Sequence, residues 1–428
     1  MQFVIVGNGI AGISAAQMIR GLRPEAGITI LTEEAHAGYS ACVLPDYVSG
    51  EIERKDVFIN EFSHYERDGI RLITGKGVDR LDADGKEAFM GDESLSYDRL
   101  IVATGSRAVV PPLKGLDNLG VFTLKSLGDA DRIYKWEGHA AVVVGSGAVG
   151  VEAAVALRKR GYRVFLLELF DRIMPQAFDP YPSGLIRDIL DRGGIKTFTG
   201  ERVVEVLGEG RVRGVLTDRR DISCDTVIMA AGMSPDVRIA RDVLALGGQG
   251  GIRVDEHMMT SIPDIYACGD CVEAGGRAGE GPGLSMLWNN AREQGMAAGC
   301  NAAGRPVVYP GSMRVSSVDL FGIQAVSMGR CSADVKGGAE VLEREAGDRY
   351  RRLVFAEGVL VGAQALNWSE NMGSLLSAIL RREKITSFAD VGNWNRPLFR
   401  APRVAFLGGR SPLFPARNFR GDKGEMTR

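Results

Sequence analysis

The sequence predicts an α/β protein with two parallel-sheet domains of the same kind, the second inserted in the first, followed by a C-terminal α+β module and an extended tail. Three observations support this prediction. A strand, a glycine-rich turn and a helix begin the chain, the same pattern starts again at residue 140, and short strands replace it after about residue 310. Strands that alternate with helices form parallel sheets, whereas runs of short strands form antiparallel ones.

The first unit has the pattern of a Rossmann-type dinucleotide site. Residues 3–6 form a short apolar run with β-branched residues, which is typical of a buried parallel strand. Gly7, Gly9 and Gly12 follow as G-x-G-x-x-G: the first makes a tight turn, the second admits a pyrophosphate, and the third lets helix and strand pack closely. The helix N-terminus after them attracts phosphate.

Two acids follow the second strand of this unit. The strand, residues 28–32, ends at Glu33 and Glu34. A carboxylate at this strand end accepts hydrogen bonds from the hydroxyls of an adenosine ribose. Because strand, glycines, helix, strand and acid come in this order, we expect a dinucleotide site rather than a glycine-rich turn without a ligand.

The second unit repeats the pattern at residues 140–168. Its second strand ends at Glu168, where a carboxylate accepts from a free ribose 2′-hydroxyl and repels a 2′-phosphate, so NADH is favoured over NADPH. The alternative for Glu168 is a solvated carboxylate at a strand end. The residues predicted to line this site are Gly145, Gly147, Ala148, Val149, Gly150, Glu152, Glu168 and Gly232.

The composition is that of an ordinary globular protein, with 45% hydrophobic and 25% charged residues and a net charge of −2. The near-neutral charge argues against nucleic acid as a partner. We see no basic signal region and no apolar run of membrane length, so we expect a cytoplasmic protein without a membrane span. The six cysteines are too scattered for a disulfide scaffold, and Cys268 and Cys271 lack the further ligands of a metal site.

Three further strand ends occur with the two glycine loops. They are Ala103-Thr104-Gly105, Ala231-Gly232 before Pro235, and the Gly269-Asp270 that closes residues 265–270. Together these motifs resemble the FAD-dependent pyridine nucleotide-disulfide oxidoreductases over about residues 1–310. The resemblance implies that the first unit binds FAD, that the second binds NAD(H), and that the FAD domain resumes after the inserted domain.

The resemblance also extends the predicted FAD site. It implies that Asp270 hydrogen-bonds the ribityl chain and that a helix starting near Trp288 runs from beside the flavin, although Trp288 could instead be a packing residue. Motifs and resemblance together predict FAD contacts at Gly7, Gly9, Ile10, Ala11, Gly12, Glu33, Glu34, Ser40, Ala103, Thr104, Gly105, Gly269, Asp270 and Trp288.

These motifs set the expected domain boundaries. We expect a discontinuous FAD-binding domain at 1–111 and 241–310, an NAD-binding domain at 112–240, an α+β interface domain at 311–394, and a basic tail with interspersed Pro and Phe at 395–428. The interface domain resembles the C-terminal module of NADH-linked reductases that serve rubredoxin or nitrite reduction. The tail is either a partner-binding arm or a segment that folds back on its own chain. Within the first domain, residues 57–68 are predicted to be helical.

Cys42 is the candidate redox thiol. Residues 42–50, Cys-Val-Leu-Pro-Asp-Tyr-Val-Ser-Gly, resemble the active-site stretch of coenzyme A-disulfide reductases and NADH oxidases, in which one cysteine against the flavin forms a mixed disulfide or a sulfenic acid. Either reaction needs a thiolate. The preceding Tyr39-Ser40-Ala41 departs from the Ser-Phe usual there. Cys42 is therefore either a redox thiol or a small residue beside the flavin.

The sequence thus predicts an FAD-dependent NAD(H) oxidoreductase that exchanges hydride between nicotinamide and flavin. We expect a redox-protein partner, with the chain as the flavin subunit of an iron–sulfur oxidoreductase complex of aldehyde or 2-oxoacid type, docked partly by the 395–428 tail. A homo-oligomer is compatible with the sequence. Two alternatives stay open: a Cys42-dependent coenzyme A-disulfide reductase or NADH oxidase, and a structural or signalling flavoprotein that resembles apoptosis-inducing factor.

Overall fold

The computed structural model describes residues 1–277, 281–368, 370–382 and 384. The tail predicted at 395–428, the docking assigned to it and the last part of the predicted interface domain lie outside the described residues. Within those described, no helix has the length and apolar composition needed to cross a bilayer. The helices are α1 (Ile10–Leu22), α2 (Leu44–Ser49), α3 (Phe62–Arg67), α4 (Leu127–Lys135), α5 (Ala148–Lys159), α6 (Pro180–Arg192), α7 (Trp288–Ala302) and α8 (Met372–Arg381).

The strands fall into three stretches of the chain. The first stretch has β1 (Gln2–Val6), β2 (Gly27–Leu31), β3 (Ile70–Ile73), β4 (Arg80–Asp82), β5 (Glu87–Met90), β6 (Glu93–Ser96), β7 (Arg99–Val102), β8 (Ser106–Ala108) and β9 (Val121–Thr123). The second has β10 (Ala140–Val144), β11 (Arg163–Glu168), β12 (Ile195–Thr199), β13 (Val203–Gly208), β14 (Val212–Thr217), β15 (Asp221–Ser223), β16 (Thr226–Met229) and β17 (Met233–Pro235). The third has β18 (Ile252–Arg253), β19 (Ile265–Ala267), β20 (Val272–Gly275), β21 (Pro282–Leu284), β22 (Val315–Leu320), β23 (Ile323–Gly329), β24 (Glu340–Ala346), β25 (Arg349–Ala356) and β26 (Val359–Leu366).

Two parallel five-stranded sheets carry the two glycine loops. Their strand orders are β3-β2-β1-β7-β19 and β12-β11-β10-β16-β9. In each, the strand before the glycine loop is central, the strand that ends in an acid lies on one side, and the strand that ends near an Ala-x-Gly segment lies on the other. The two predicted Rossmann-type sheets are confirmed, and β1 and β10 fall where the apolar runs predict strands.

The chain returns to the first sheet after it has built the second, because β19 pairs in parallel with β7. The connections out and back are themselves paired, since β8 and β17 form a two-stranded antiparallel ribbon. Helix α7 then packs closely on α1. A Cβ added to Gly295 would lie 2.2 Å from the carbonyl oxygen of Ala11, and one added to Gly299 would lie 2.5 Å from that of Ala15. Only glycine permits this approach of two backbones.

The C-terminal module is an antiparallel sheet of order β22-β23-β26-β25-β24, with α8 packed against β26. Its strands and helix agree with the expected α+β module. The helix predicted over 57–68 is wrong in its first half, because the Ser40 N–H donates to the Val57 carbonyl at 2.9 Å and Phe58 pairs with Tyr39. Val57 ends a short 3₁₀ helix (Arg54–Val57), the backbone at Phe58 is extended, and α3 begins only at Phe62.

Candidate functional site

The first glycine loop is packed tightly on one side and open on the other. Gly7 has φ +117°, and a Cβ there would lie 2.0 Å from the Ala103 carbonyl oxygen at the end of β7. A Cβ at Gly12 would lie 2.1 Å from the Gly7 carbonyl oxygen, whereas open space surrounds Gly9. The loop is thus pressed against its own sheet, while Gly9 leaves room for a phosphate at the N-terminus of α1.

The two acids after β2 have different surroundings. Glu34 is half-buried and accepts a hydrogen bond from the Tyr39 hydroxyl at 3.0 Å, and burial raises the pKa of its carboxyl. The Glu33 side chain is 65% exposed, and its Oε2 lies 3.3 Å from Nη2 of Arg238. Glu33 therefore keeps oxygen atoms free to accept from a ligand, whereas Glu34 is engaged by the protein.

Asp270 is held by side chains from two other segments. Its Oδ2 accepts a hydrogen bond from the Ser106 hydroxyl at 2.6 Å and lies 3.5 Å from Nζ of Lys125. The preceding Gly269 donates its N–H to the buried Gln294 side chain at 2.8 Å. A Cβ at Gly269 would lie 3.0 Å from the Ala11 Cβ, so Asp270 comes next to the start of α1. A fixed carboxylate beside a close backbone approach suits a polyol.

The end of β7 is fastened to the ribbon that returns from the second sheet. The Thr104 hydroxyl donates to the backbone carbonyl of Asp236 at 2.6 Å, and the Asp236 N–H donates to the Gly105 carbonyl at 2.9 Å. Trp288 is the first residue of α7 and is 40% exposed, so it is not a core packing residue.

The structure therefore gathers the predicted FAD residues of three separate segments around the first loop. Sequence reasoning missed Ser106, Lys125, Asp236, Arg238 and Gln294, which contact these residues from distant parts of the chain.

Cys42 lies in a short turn just before α2, within reach of solvent. Partial burial, followed by the negative charge of Glu152, raises the pKa of its thiol, and a contribution from Asp270 acts in the same direction. A hydrogen bond with the Ser40 side chain and the charge of Lys125 oppose this rise without cancelling it. The pKa of Cys42 is therefore affected by Asp270, which follows the first sheet, and by Glu152, which lies beside the second, and its thiolate is disfavoured.

Glu152 is a half-buried carboxyl on α5. Burial raises its pKa to about 8, and the charges of Asp46 and Asp319 add to the effect. Its carboxyl is therefore largely protonated at neutral pH. Asp46 and Asp319 also line a cavity of about 570 Å³ between α2, α5 and the β22–β23 hairpin.

The second glycine loop repeats the geometry of the first. Gly145 has φ +104°, and a Cβ there would lie 2.2 Å from the Ala230 carbonyl oxygen. A Cβ at Gly150 would lie 2.0 Å from the Gly145 carbonyl oxygen, whereas Gly147 again borders open space. Ala148 and Val149 begin α5, and Gly232 follows β16 at the same edge of this sheet.

Glu168 is buried, with 6% of its surface exposed. Its Oε2 accepts from the Ser146 N–H at 2.8 Å and from the Ser146 hydroxyl at 2.6 Å, and its Oε1 accepts from the Phe170 N–H at 2.9 Å. The alternative of a solvated carboxylate is therefore wrong. Three of about four acceptor positions are used within the protein, which leaves capacity for roughly one further hydrogen bond.

Comparison with known proteins gives consistent matches. The sequence profile of the family described as pyridine nucleotide-disulphide oxidoreductase matches residues 1–295. The chain is 30% identical to a protein named NADH oxidase from Methanocaldococcus jannaschii, with 91% of this chain and 94% of that protein covered. It is also 30% identical to the NADH-dependent phenylglyoxylate dehydrogenase subunit epsilon of Aromatoleum evansii, with 90% and 93% covered. The solved structure of an NAD-dependent persulfide reductase from A. fulgidus superposes with a TM-score of 0.85 at 27% identity, covering 90% of this chain and 77% of that one.

Proposed function

The chain belongs to the pyridine nucleotide-disulphide oxidoreductase family, and from this premise we propose that it exchanges electrons between NAD(H) and an iron–sulfur protein, as the flavin subunit of an oxidoreductase complex. It is an FAD-dependent NAD(H) oxidoreductase, with FAD and NAD(H) as cofactors. The finer proposal concerns which residues hold each cofactor, which partner exchanges the electrons, and what Cys42 does.

We assign FAD to the first glycine loop. The open side of Gly9, the exposed carboxylate of Glu33 and the oriented carboxylate of Asp270 fit a dinucleotide with a phosphate pair, an adenosine ribose and a polyol chain. The N–H groups at the start of α1 would face the phosphates. When bound, FAD would supply hydride exchange with nicotinamide and electron transfer to a one-electron partner.

We assign NAD(H) to the second glycine loop. There Gly147 borders open space, and Glu168 holds the loop through Ser146 while it keeps one acceptor position. No cationic side chain is hydrogen-bonded to Glu168 among the residues described. An acid at this strand end supports the preference for NADH over NADPH.

The observation that supports a protein acceptor over a thiol reaction is the environment of Cys42. A reactive cysteine is stabilised as thiolate by nearby positive charge, whereas here partial burial and the charge of Asp270 oppose ionisation, and Glu152 adds to this above its own pKa of about 8. The likeness to the phenylglyoxylate dehydrogenase subunit along nearly the whole of both chains adds to this proposal, which includes a complex of the 2-oxoacid or aldehyde type.

The test compares acceptors in wild-type protein and Cys42→Ser. With NADH as donor, we expect a bacterial-type ferredoxin to be reduced at similar rates by both proteins. Loss of ferredoxin reduction in Cys42→Ser, with flavin reduction by NADH intact, would contradict the proposal. The substitution removes only the thiol, so flavin content serves as the control for folding.

The second candidate is a Cys42-dependent disulfide reductase or NADH oxidase. It is favoured by the position of Cys42, which lies within electrostatic reach of both Asp270 and Glu152 and therefore between the two proposed cofactor sites. In the same comparison it predicts that disulfide or oxygen turnover disappears in Cys42→Ser. The cytoplasmic location and the homo-oligomer stay predictions.

A further inference from the structure

Arg238 joins two carboxylates that are far apart in the sequence. Its Nε and Nη2 donate to Oδ1 and Oδ2 of Asp236 at 2.8 and 2.7 Å, which is a two-point contact. The same Nη2 lies 3.3 Å from Oε2 and 3.4 Å from Oε1 of Glu33. One guanidinium therefore connects the segment that returns from the second sheet with the acid at the end of β2.

The Asp236 end of this connection is fixed. The Asp236 side chain is only 8% exposed, and its backbone is hydrogen-bonded in both directions to Thr104 and Gly105 at the end of β7. Burial alone would raise the pKa of the Asp236 carboxyl, but the hydrogen bonds and charge of Arg238 hold it below its usual value. Asp236 is thus ionised, and the planar guanidinium bound to it has a set orientation.

The Glu33 end is open. The Glu33 carboxylate accepts from Nη2 of Arg238, and 65% of the Glu33 side chain is exposed. The long, 3.3–3.4 Å contact leaves acceptor positions on both oxygen atoms. Glu33 is therefore oriented by one partner and still able to accept from hydroxyl groups.

We infer that Arg238 is a positioning residue for the adenosine end of the dinucleotide at the first glycine loop. It holds the Glu33 carboxylate toward the ribose hydroxyls and fastens it, through Asp236, to the end of β7 and to the β8–β17 ribbon. The inference rests on the proposed assignment of FAD to this loop. The Arg238–Glu33 ion pair is exposed and adds little to folding stability, so Glu33→Gln should change cofactor retention and leave unfolding unchanged. Arg238→Gln also takes the partner from the buried Asp236 carboxylate, so its effect on FAD has to be separated from an effect on the fold.

The experiment measures FAD release from the holoenzyme after dilution, by the rise in flavin fluorescence. We expect Arg238→Gln and Glu33→Gln each to release FAD about threefold to tenfold faster than wild type. The double variant should release it no faster than the faster single variant, because both substitutions remove the same contact. Arg241→Gln, an exposed position three residues away, is the matched control and should behave as wild type.

A second measurement separates positioning from a general structural defect. FMN has no adenosine, so its affinity for the FAD-stripped protein should be equal in wild type and Arg238→Gln, whereas a loosened fold would weaken both flavins. Wild-type FAD release in Arg238→Gln, with faster release in Glu33→Gln, would overturn the inference alone. Wild-type release in both variants would also overturn the inference, whereas the FAD assignment would fail if Gly7→Ala, in the loop itself, kept its FAD.

Discussion

The two glycine loops share a backbone and differ in their acids. In both loops, a Cβ added to the first or third glycine would lie 2.0–2.2 Å from a backbone carbonyl oxygen. The middle glycine of each loop borders open space. Glu33 turns outward to Arg238, but Glu168 turns inward and holds Ser146. The backbone of each loop therefore has the shape of a dinucleotide site. The acid after the second strand differs in whether it contacts a distant segment, as Glu33 does, or its own loop, as Glu168 does.

We interpret this difference in terms of how each cofactor is kept. An outward acid fastened to the returning ribbon suits a cofactor that stays bound, because several segments must separate before it leaves. An inward acid keeps the loop in shape without a ligand, which suits a cofactor that exchanges at every turnover. Four predictions can break or sharpen this comparison.

The largest effects are expected from the first glycine of each loop. Gly7→Ala and Gly145→Ala place a Cβ against a backbone oxygen at a positive φ, at a cost of about 2–3 kcal/mol or more. Gly7→Ala should lose FAD, whereas Gly145→Ala should keep FAD and lose reduction by NADH. Flavin absorbance and anaerobic NADH reduction measure the two effects, and Gly21→Ala, which adds a Cβ in open space on α1, is the control. Equal FAD loss in both variants would break the comparison.

The next effect concerns Glu152, on the helix that follows the second loop. The equivalent position on the helix after the first loop is Ser14. Its pKa is raised from 4.5 to about 8, so the folded protein binds more protons than the unfolded chain between these pH values. The free energy of unfolding should therefore fall as pH rises from 4.5 to 8. Glu152→Gln should remove this fall in the free energy of unfolding. The variant holoenzyme should be about 2–4 kcal/mol more stable than wild type at pH 8 and differ little from it near pH 5. Thermal unfolding at the two pH values is the measurement, and equal gains at both would contradict the account.

A smaller effect is expected at Glu168. Glu168→Ala leaves the donors of Ser146 and Phe170 without an acceptor, at a cost of about 1–3 kcal/mol to the loop. The KM for NADH should rise about tenfold or more, while FAD content stays at the wild-type level. A fall in FAD content would mean that the two sites are not independent.

The smallest effect is at Cys42, between the loops. Because the pKa of its thiol is raised, alkylation by iodoacetamide at pH 7 should be slower than that of a free cysteine. At pH 9, where Glu152 is ionised, Glu152→Gln should speed the alkylation of Cys42 about twofold to fivefold. Peptide mass spectrometry assigns the modified residue, and an unchanged rate would mean that Glu152 does not act on the thiol.

Local patterns predicted the fold well. The apolar runs at β1 and β10 and the spacing of the glycines are each recognised from a few neighbouring residues. The helix predicted at 57–68 failed because Val57 and Phe58 pair with residues 39–40, which a local pattern does not contain.

Contacts between distant segments account for what was missed at the site. Arg238 reaches Glu33 across 205 residues, and Ser106 reaches Asp270 across 164, so no spacing rule connects them. The choice between Glu33 and Glu34 depends on a nearer contact, because Tyr39, five residues after Glu34, donates a hydrogen bond to Glu34. The sequence predicts the groups that we propose contact a dinucleotide, but not the side chains that orient those groups.

The central claim is that flavin, and not Cys42, is the two-electron centre of this chain. An anaerobic titration of the holoenzyme with NADH tests it most directly, by counting equivalents until the flavin absorbance is fully bleached. We predict about one NADH per FAD, in wild type and in Cys42→Ser alike. About two NADH per FAD in wild type, falling to one in Cys42→Ser, would show a second redox centre at the thiol and contradict the account.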